Sequence, residues 1–354
     1  QVISRFLVFF SYCLHILYQS IKEELMDQFN VYKDMKARTN GEIYIGVVGP
    51  VRTGKSTFIK RFMNLMVLPN IEDENDRNRA NDELPQSSSG KTIMTTEPKF
   101  VPNEAVSIKT EEGIELNVRL IDCVGYMVEG ATGHMEGEEE RLVKTPWFDY
   151  EIPFTKAAAI GTKKVITEHS TIGVVVTCDG SFGEIAAKQY EPAEEETIKQ
   201  LKALKKPFVV LLNTIHPYSE STKQLAAEKE EKYQTKVLPM NLEQMKKEDI
   251  YEIIKSVLME FPISSIGFYV PRWTEMLKKD HPLKMELLQM ARDVITEKTT
   301  MRDIYEEQEK EYEYITGQKL ESVAMDSGEV VITVKVGDVY YLSLIHISEP
   351  TRRS

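Results

Sequence analysis

The chain has 354 residues, enough for one large or two medium domains with proper cores. It carries 44 Lys and Arg residues against 56 Asp and Glu residues, so its formal net charge is −12 and its pI is near 5.2. This acidic balance argues against a nucleic-acid partner, because the phosphates of a nucleic acid would be repelled.

The N-terminal segment differs in character from the rest of the sequence. Residues 6–18 form an apolar run, broken by polar residues, that is shorter than the ~20 residues of a membrane-spanning helix. The small-residue cleavage site of a secretory signal does not follow it. We interpret residues 1–25 as a non-native leader ahead of Met26, with an amphipathic anchor helix as the alternative.

The first functional motif lies between a predicted strand, residues 43–48, and a predicted helix, residues 56–66. The intervening sequence GPVRTGKS fits the phosphate-binding pattern G-x-x-x-x-G-K-[ST] in the strand–loop–helix context that this pattern requires. In such a loop Lys55 can reach the β- and γ-phosphates, and Ser56 can coordinate Mg²⁺. We therefore predict a nucleotide site whose loop residues are Gly49, Arg52, Thr53, Gly54, Lys55, Ser56 and Thr57.

A polar, charged segment follows at residues 68–90, and its composition predicts a long surface segment with a short helix. The next stretch, GKTIMTTEPKF, offers Thr92, Thr95 and Thr96 as sensors of the γ-phosphate. A threonine hydroxyl or carbonyl here can close on Mg²⁺ only when the third phosphate is present. Each of these threonines could equally be an ordinary loop residue.

Residues 105–109 and 115–121 alternate in polarity around a glycine turn, which predicts a hairpin. The second strand ends in the D-x-x-G sequence that begins at Asp122. Asp122 is expected to support Mg²⁺ through water, and the N–H of Gly125 is expected to face the γ-phosphate. The next residue is Tyr126, where many related enzymes carry a glutamine that orients water, so we expect slow turnover.

Residues 171–178 and 207–212 are continuous apolar runs, the pattern of strands buried on both faces. Between them lies a helix with one apolar face, formed by Ala193, Thr197, Leu201 and Leu204. A short strand at 237–240 and a core-facing helix at 250–258 follow. This alternation predicts an α/β fold with a mixed, mostly parallel sheet and helices on both faces.

The residues that would recognise guanine are altered. GTPases of this layout place N-K-x-D after the strand at 207–212, whereas this chain has Asn213-Thr214-Ile215-His216. A neutral imidazole at His216 has one acceptor nitrogen and cannot accept the two hydrogen bonds that the Asp receives from guanine, and Thr214 cannot stack on a base as a lysine stem does. ATP is therefore the expected ligand, although His216 could be merely a loop residue.

The remaining sequence predicts an incomplete second α/β domain. Residues 266–270 and 330–336 have the pattern of strands, and residues 273–311 that of a charged helical stretch. Two cysteines outside the leader, Cys123 and Cys178, fall at predicted strand ends without metal-ligand spacing. They predict buried, reduced thiols of a cytosolic protein.

Several stretches together resemble the stage IV sporulation protein A family. They are IYIGVVGPVRTGKSTFIKRFM, DELPQSSSGKTIMTTEPKFVPNEA, RLIDCVGY, TPWFDYEIPFTKAAAIGTKKVITEHSTIGVVVTCDG and MNLEQM. The resemblance runs from Met26 to about Trp273 and weakens toward Tyr341. After the leader at 1–25, it implies a P-loop ATPase domain, 26–262, and the start of a middle domain, 263–341. Residues 342–354 separately resemble read-through of a sequencing adapter.

The resemblance implies an ATP user of the P-loop NTPase fold, GTPase-like and TRAFAC-type in descent. By this comparison Lys55, Asp122, Thr95 and Thr96 are the catalytic residues, and Ser56, Asp122 and Thr96 surround the Mg²⁺. Contacts to the nucleotide would also come from Gly125 and Asn213.

The resemblance also implies a morphogenetic role at the base of the endospore coat. ATP hydrolysis would change the conformation of the protein and let it polymerise with itself in the mother-cell cytoplasm, on the forespore surface. In this family a small amphipathic membrane peptide and the C-terminal region bring the protein to the membrane, so binding of that peptide and of spore coat proteins is expected to need the C-terminal part absent here. Two alternatives stay open: a regulatory GTPase-like switch, and a structural protein that binds nucleotide without turnover.

Overall fold

The computed structural model describes residues 39, 41–85, 97–109, 115–131, 134–136, 139–183, 185–305 and 310–337. The described residues form two compact units, residues 39–263 with 298–305 and residues 264–297 with 310–337. No helix in these described ranges combines the length and the apolar character that crossing a membrane requires.

The first unit is built on a six-stranded sheet. Its strands and helices are β1 (Glu42–Val48), α1 (Lys55–Phe62), α2 (Glu74–Asp82), β2 (Lys99–Lys109), β3 (Glu115–Asp122), β4 (Met135–Glu136), β5 (Glu139–Glu140), β6 (Leu142–Thr145), β7 (Phe148–Pro153), α3 (Phe154–Lys164), β8 (Ile172–Cys178), α4 (Ala187–Ala203), β9 (Phe208–Asn213), α5 (Glu220–Tyr233), β10 (Val237–Met240) and α6 (Lys247–Met259).

The strand order in this sheet is β10-β9-β8-β1-β3-β2. All neighbours pair in parallel except β2 and β3, which form the predicted antiparallel hairpin. Every residue of β8 and β9 is buried, so both faces at the centre of the sheet are covered. The mostly parallel α/β fold predicted from the sequence is confirmed. Because the strands are parallel, the ends of β1, β3, β8 and β9 meet at one edge, where the loops that follow them can form a site.

Local patterns explain several of the helices. Helix α2 lies in the polar segment 68–90 as predicted, and Asp73 caps it by accepting hydrogen bonds from the N–H groups of Asn75 (2.8 Å) and Asp76 (3.0 Å). Helix α4 buries Thr197 and Leu201 but not Leu204, which is 43% exposed. The prediction for Leu204 was wrong because α4 ends at Ala203, so Leu204 lies outside the helix and does not share its buried face.

The second unit contains β11 (Ser265–Tyr269), α7 (Pro282–Glu297), β12 (Ile315–Ala324) and β13 (Glu329–Val336). Its sheet has the order β11-β13-β12, with β11 parallel and β12 antiparallel to β13. The predicted helical stretch at 273–311 is much shorter in the structure, because α7 starts at Pro282, a residue that favours the first helical turn. Strand β12 was not predicted; its pairing with β13 shifts register twice, which breaks the alternation that identifies strands.

Candidate nucleotide-binding site

The phosphate-binding loop joins β1 to α1, and its backbone is fixed by the loop that follows β3. The N–H of Val51 donates to the carbonyl of Tyr126 (3.0 Å), and the N–H of Tyr126 donates to the carbonyl of Gly49 (3.3 Å). A side chain on Gly125, whose φ is +94°, would collide with the Gly49 carbonyl and lie 2.6 Å from the Lys55 ammonium. The D-x-x-G glycine is therefore needed for the two loops to approach each other.

Lys55 is the first residue of α1, and its side chain turns back into the loop. It is 4% exposed, and its ammonium donates to the carbonyls of Pro50 and of Gly49, the latter at 3.4 Å. Burial lowers the pKa of Lys55, while the nearby Cys123 and Asp122 act in the opposite direction. The ammonium is thus held among loop carbonyls that give weak compensation, where the oxygens of a triphosphate would be stronger acceptors.

Asp122 ends β3 directly beside this lysine. Burial raises the pKa of Asp122 to about 6, and Lys55, a hydrogen bond to the Cys123 N–H and the Ser56 hydroxyl lower it. Its Oδ1 atom is buried and has no hydrogen-bond partner among the described residues. An unpartnered carboxylate oxygen next to the Ser56 hydroxyl fits a hydrated Mg²⁺, which binds proteins through few carboxylates and keeps several waters.

Asn213, at the end of β9, connects the loop to the opposite side of the site. Its Nδ2 donates to the Thr53 carbonyl (3.0 Å), and its Oδ1 accepts from the Leu242 N–H (3.3 Å). Thr53 is itself held by a hydrogen bond from its hydroxyl to the Pro50 carbonyl (3.0 Å). Sequence analysis predicted Asn213 as a nucleotide contact but missed this bracing role, which depends on two residues far away in the chain.

The segment after Asn213 has the position of a base-binding loop. Thr214 is fully buried, and its hydroxyl accepts from the His216 N–H (3.1 Å). Thr214 therefore stabilises the backbone of its own loop. His216 is exposed, and the N–H of Ile215 donates to the Ser181 hydroxyl (3.2 Å). In this segment, residues 213–216, the described structure contains no carboxylate that could accept from guanine.

The other predicted site residues have different outcomes. Arg52 is exposed in the loop, and Gly54 and Thr57 are half-buried at its end and in α1. Thr92, Thr95 and Thr96 lie outside the described residues, so their sensor and metal roles remain predictions. The predicted buried thiols are confirmed for both cysteines: Cys123 and Cys178 are buried and free.

The raised pKa of Asp122 predicts how stability changes with pH. A carboxyl whose folded pKa lies above its usual 3.8 contributes stability below that value and loses it as the pH rises through about 6. We expect the free energy of unfolding of the nucleotide-free wild type, measured relative to Asp122→Asn, to fall by about 2 kcal/mol between about pH 4 and about pH 7.5. Urea unfolding of both proteins over this range measures it; a difference that is constant with pH would contradict the assignment.

Comparisons with known proteins identify the family to which the chain is similar. The family model described as "Stage IV sporulation protein A, ATPase domain" matches residues 26–262, and the middle-domain model of the same family matches residues 263–351. The curated stage IV sporulation protein A of Bacillus anthracis is 46% identical over 318 residues, and that of Clostridioides difficile is 49% identical over 315 residues. These alignments cover 89% and 88% of this chain but only 65% and 64% of the two relatives. The chain therefore spans about two thirds or slightly less of their length.

Among solved structures, a mutation variant of SsGBP matches with 16% identity and a TM-score of 0.34, covering 69% of this chain and 63% of that one. The complex of SsGBP with GDP matches with 13% identity and a TM-score of 0.35, covering 68% and 54%. At these TM-scores the likeness carries no argument about fold or function.

Proposed function

Because this chain belongs to the stage IV sporulation protein A family, we propose that it is a sporulation protein that binds Mg²⁺ and ATP and hydrolyses the ATP slowly. The observation that carries the proposal is that Lys55 and Asp122 are both buried and that each charge acts on the pKa of the other. The buried ammonium of Lys55 lies in the phosphate loop, and the buried carboxylate of Asp122, whose Oδ1 has no partner among the described residues, lies at the end of β3. Triphosphate and Mg²⁺ would satisfy both groups at once.

Each residue of the site would have a distinct role in binding the phosphates and the metal. Lys55 would bind the β- and γ-phosphates, Ser56 and Asp122 would hold the metal and its waters, and the N–H of Gly125 would face the γ-phosphate. Thr95 and Thr96 are proposed to sense that phosphate, with Thr96 also near the metal. The bound Mg²⁺ would neutralise charge that develops on the phosphate oxygens.

The choice of ATP over GTP is supported by the base side of the site. The residue that would have to accept two hydrogen bonds from guanine is His216, which is exposed and whose ring has a single acceptor nitrogen when neutral. Thr214 is buried and bonded to the backbone of the same loop, so it cannot cover a base. A regulatory GTPase would need other groups to read guanine.

We further propose that hydrolysis lets the protein assemble with itself into a basement layer of the spore coat, in the mother cell at the forespore surface. This part is supported by family membership. Binding to a small amphipathic membrane peptide and to spore coat proteins is proposed for the whole protein, because this chain spans only part of its relatives.

Calorimetry, sedimentation and phosphate release on purified protein test the proposal. Calorimetry with ATP and GTP in the presence of Mg²⁺ is expected to show binding of ATP and little of GTP; the reverse preference would favour the GTPase alternative. Sedimentation with ATP, with ADP and without nucleotide is expected to show a pelleted fraction that grows only with ATP. ATP binding without phosphate release would instead favour a structural protein that binds nucleotide without turnover.

A further inference from the structure

Arg52 lies in the middle of the phosphate-binding loop in a backbone conformation that is unusual for a residue with a side chain. Its φ is +60°, in the left-handed region that favours glycine. The other non-glycine residues with positive φ among those described are Lys205 and Gln234, which lie just after the ends of α4 and α5. A left-handed residue is common at a helix end. Arg52 is not at a helix end, and strain of this kind concentrates at functional sites.

The backbone on both sides of Arg52 is held in place. Val51 is fixed by its hydrogen bond to the Tyr126 carbonyl (3.0 Å), and the carbonyl of Thr53 is fixed by Asn213 (3.0 Å). Val51 and Thr53 are each 1% exposed, whereas the side chain of Arg52 is exposed. The exposed side chain of Arg52 is therefore attached to the phosphate-binding loop at a point whose backbone is fixed on both sides. A group held on rigid flanks needs little reorganisation when charge develops beside it.

The position that often supplies a water-orienting side chain is unavailable for that purpose here. Tyr126 packs against the buried cluster that contains Val128, Cys178 and Tyr190. Burial raises the pKa of the Tyr126 hydroxyl to about 12, so this side chain is neutral and faces the core. The charge of Arg52 reaches the same cluster, since it lowers the pKa of Tyr190, which burial raises to about 12. Arg52 therefore supplies a positive charge near the segment around Tyr126, residues 125–131, which contains no Lys or Arg.

We propose that Arg52 is a catalytic residue that contacts the γ-phosphate of ATP bound to its own loop in the transition state of hydrolysis. The inference rests on the ATPase function proposed above. The oxygen of water forms a bond to the γ-phosphorus as the bond from that phosphorus to the β–γ bridging oxygen breaks. The electron pair of the broken bond stays on ADP, and the proton of the water passes to the phosphate product or to solvent. Arg52 stays protonated and donates to the bridging and γ-oxygens, where negative charge increases.

Phosphate-release assays on Arg52 variants test this role, with Lys205→Ala as a matched control. Lys205 is also an exposed cation with positive φ (53°), but it lies after α4. We expect Arg52→Ala to lower kcat about 10³-fold, because an arginine that stabilises this transition state contributes 10³–10⁵-fold. We expect the affinity for Mg²⁺ and ATP to change by less than about threefold, because the contact forms only in the transition state. Arg52→Lys should recover only part of the activity, because an ammonium lacks the planar fork of donors. Lys205→Ala should match wild type.

A readout without turnover separates catalysis from folding. Wild type is expected to retain Mg²⁺ and ADP when aluminium fluoride is added, since this combination mimics the transferring phosphoryl group. Arg52→Ala should bind Mg²⁺ and ADP, but aluminium fluoride should not increase the amount of ADP that it retains. Arg52→Gly removes the backbone strain and should fold at least as well as wild type, yet show the same loss; normal kcat in Arg52→Gly and Arg52→Ala would overturn the proposal.

The two possible failures are distinguishable. If wild type releases no more phosphate than Lys55→Ala, the proposed ATPase function fails together with this inference. If wild type hydrolyses ATP and the Arg52 variants do so equally, only the role of Arg52 fails. Mixing Arg52→Ala with Lys55→Ala is expected to restore no activity, because each intact loop needs its own arginine; restored hydrolysis would mean that Arg52 acts on a neighbouring copy and would contradict the contact proposed here.

Discussion

Lys55→Ala is expected to lower ATP hydrolysis by at least about 10²–10³-fold, because it removes a preorganised donor from the charge that develops on the γ-phosphate. It should also weaken nucleotide binding. The ammonium is buried at the point where the phosphate loop meets β3, and its charge lowers the pKa of Asp122. Without it, the pKa of Asp122 would rise further above about 6. More of this carboxyl would then be protonated at neutral pH, which weakens its hold on a hydrated Mg²⁺. Phosphate release and calorimetry with ATP measure the two effects.

The matched control for this change is Lys60→Ala. Lys60 lies in the same helix, α1, but its side chain is exposed, so its removal takes away a charge of the same kind without touching the site. We expect Lys60→Ala to bind and hydrolyse ATP as wild type does. Hydrolysis by Lys55→Ala at the wild-type rate would remove the lysine, and with it the phosphate loop, from the proposed mechanism.

The parts of the fold that the sequence predicts well are those whose pattern is local. Strands β8 and β9 are buried at every position, and their continuous apolar runs report this directly. The phosphate loop is recognisable because eight consecutive residues fix its backbone, its cation and its hydroxyl group. Asp122 becomes identifiable because it begins a D-x-x-G sequence at the end of a predicted hairpin strand, and the structure places that strand beside β1.

The parts that the sequence does not predict depend on contacts between distant residues. Asn213 braces Thr53 and the N–H of Leu242, and nothing near Asn213 in the sequence indicates either partner. The main chain of Tyr126 holds the phosphate loop through two hydrogen bonds that are independent of its side chain. Side-chain patterns carry no information about such bonds, so these bracing roles emerge only from the structure.

The segment between Gly125 and β8 was not predicted from the sequence for a different reason: its elements are short or begin without local signals. It forms two short two-stranded sheets, β4 with β5 and β6 with β7, and then α3, which begins at Phe154. Strands of two to six residues are too short for an alternating pattern to stand out from chance. Helix α3 has Pro153 before its first residue, which cannot cap it with a side chain, and the carboxylate that accepts from the Thr155 N–H in its first turn (2.9 Å) belongs to Glu140, fifteen residues earlier. The usual local signals for the start of a helix are therefore weak.

Glu194→Ala is expected to destabilise the protein by about 3–5 kcal/mol, because it leaves a largely buried lysine without its counter-charge. Glu194 is fully buried in α4, where it accepts from Lys229 Nζ of α5 (2.6 Å) and from the Thr177 hydroxyl of β8 (2.5 Å). The side chain of Lys229 is 12% exposed, and its ammonium lies 5.7 Å from the centre of the Tyr233 ring. Removing the carboxylate therefore leaves both the ammonium and the hydroxyl without an acceptor. Urea unfolding of the nucleotide-free protein measures the loss.

The adjacent residue provides the control that isolates burial as the cause. Glu195 forms the same kind of ion pair, with Lys232 at 2.6 Å, but these two side chains are 52% and 46% exposed. Exposed ion pairs contribute roughly 0–1 kcal/mol because water screens both charges. Glu195→Ala should therefore change the free energy of unfolding by less than about 1 kcal/mol. Equal effects of the two substitutions would show that the Glu194 pair gains nothing from its burial, and that α4, α5 and β8 are held together by apolar packing alone.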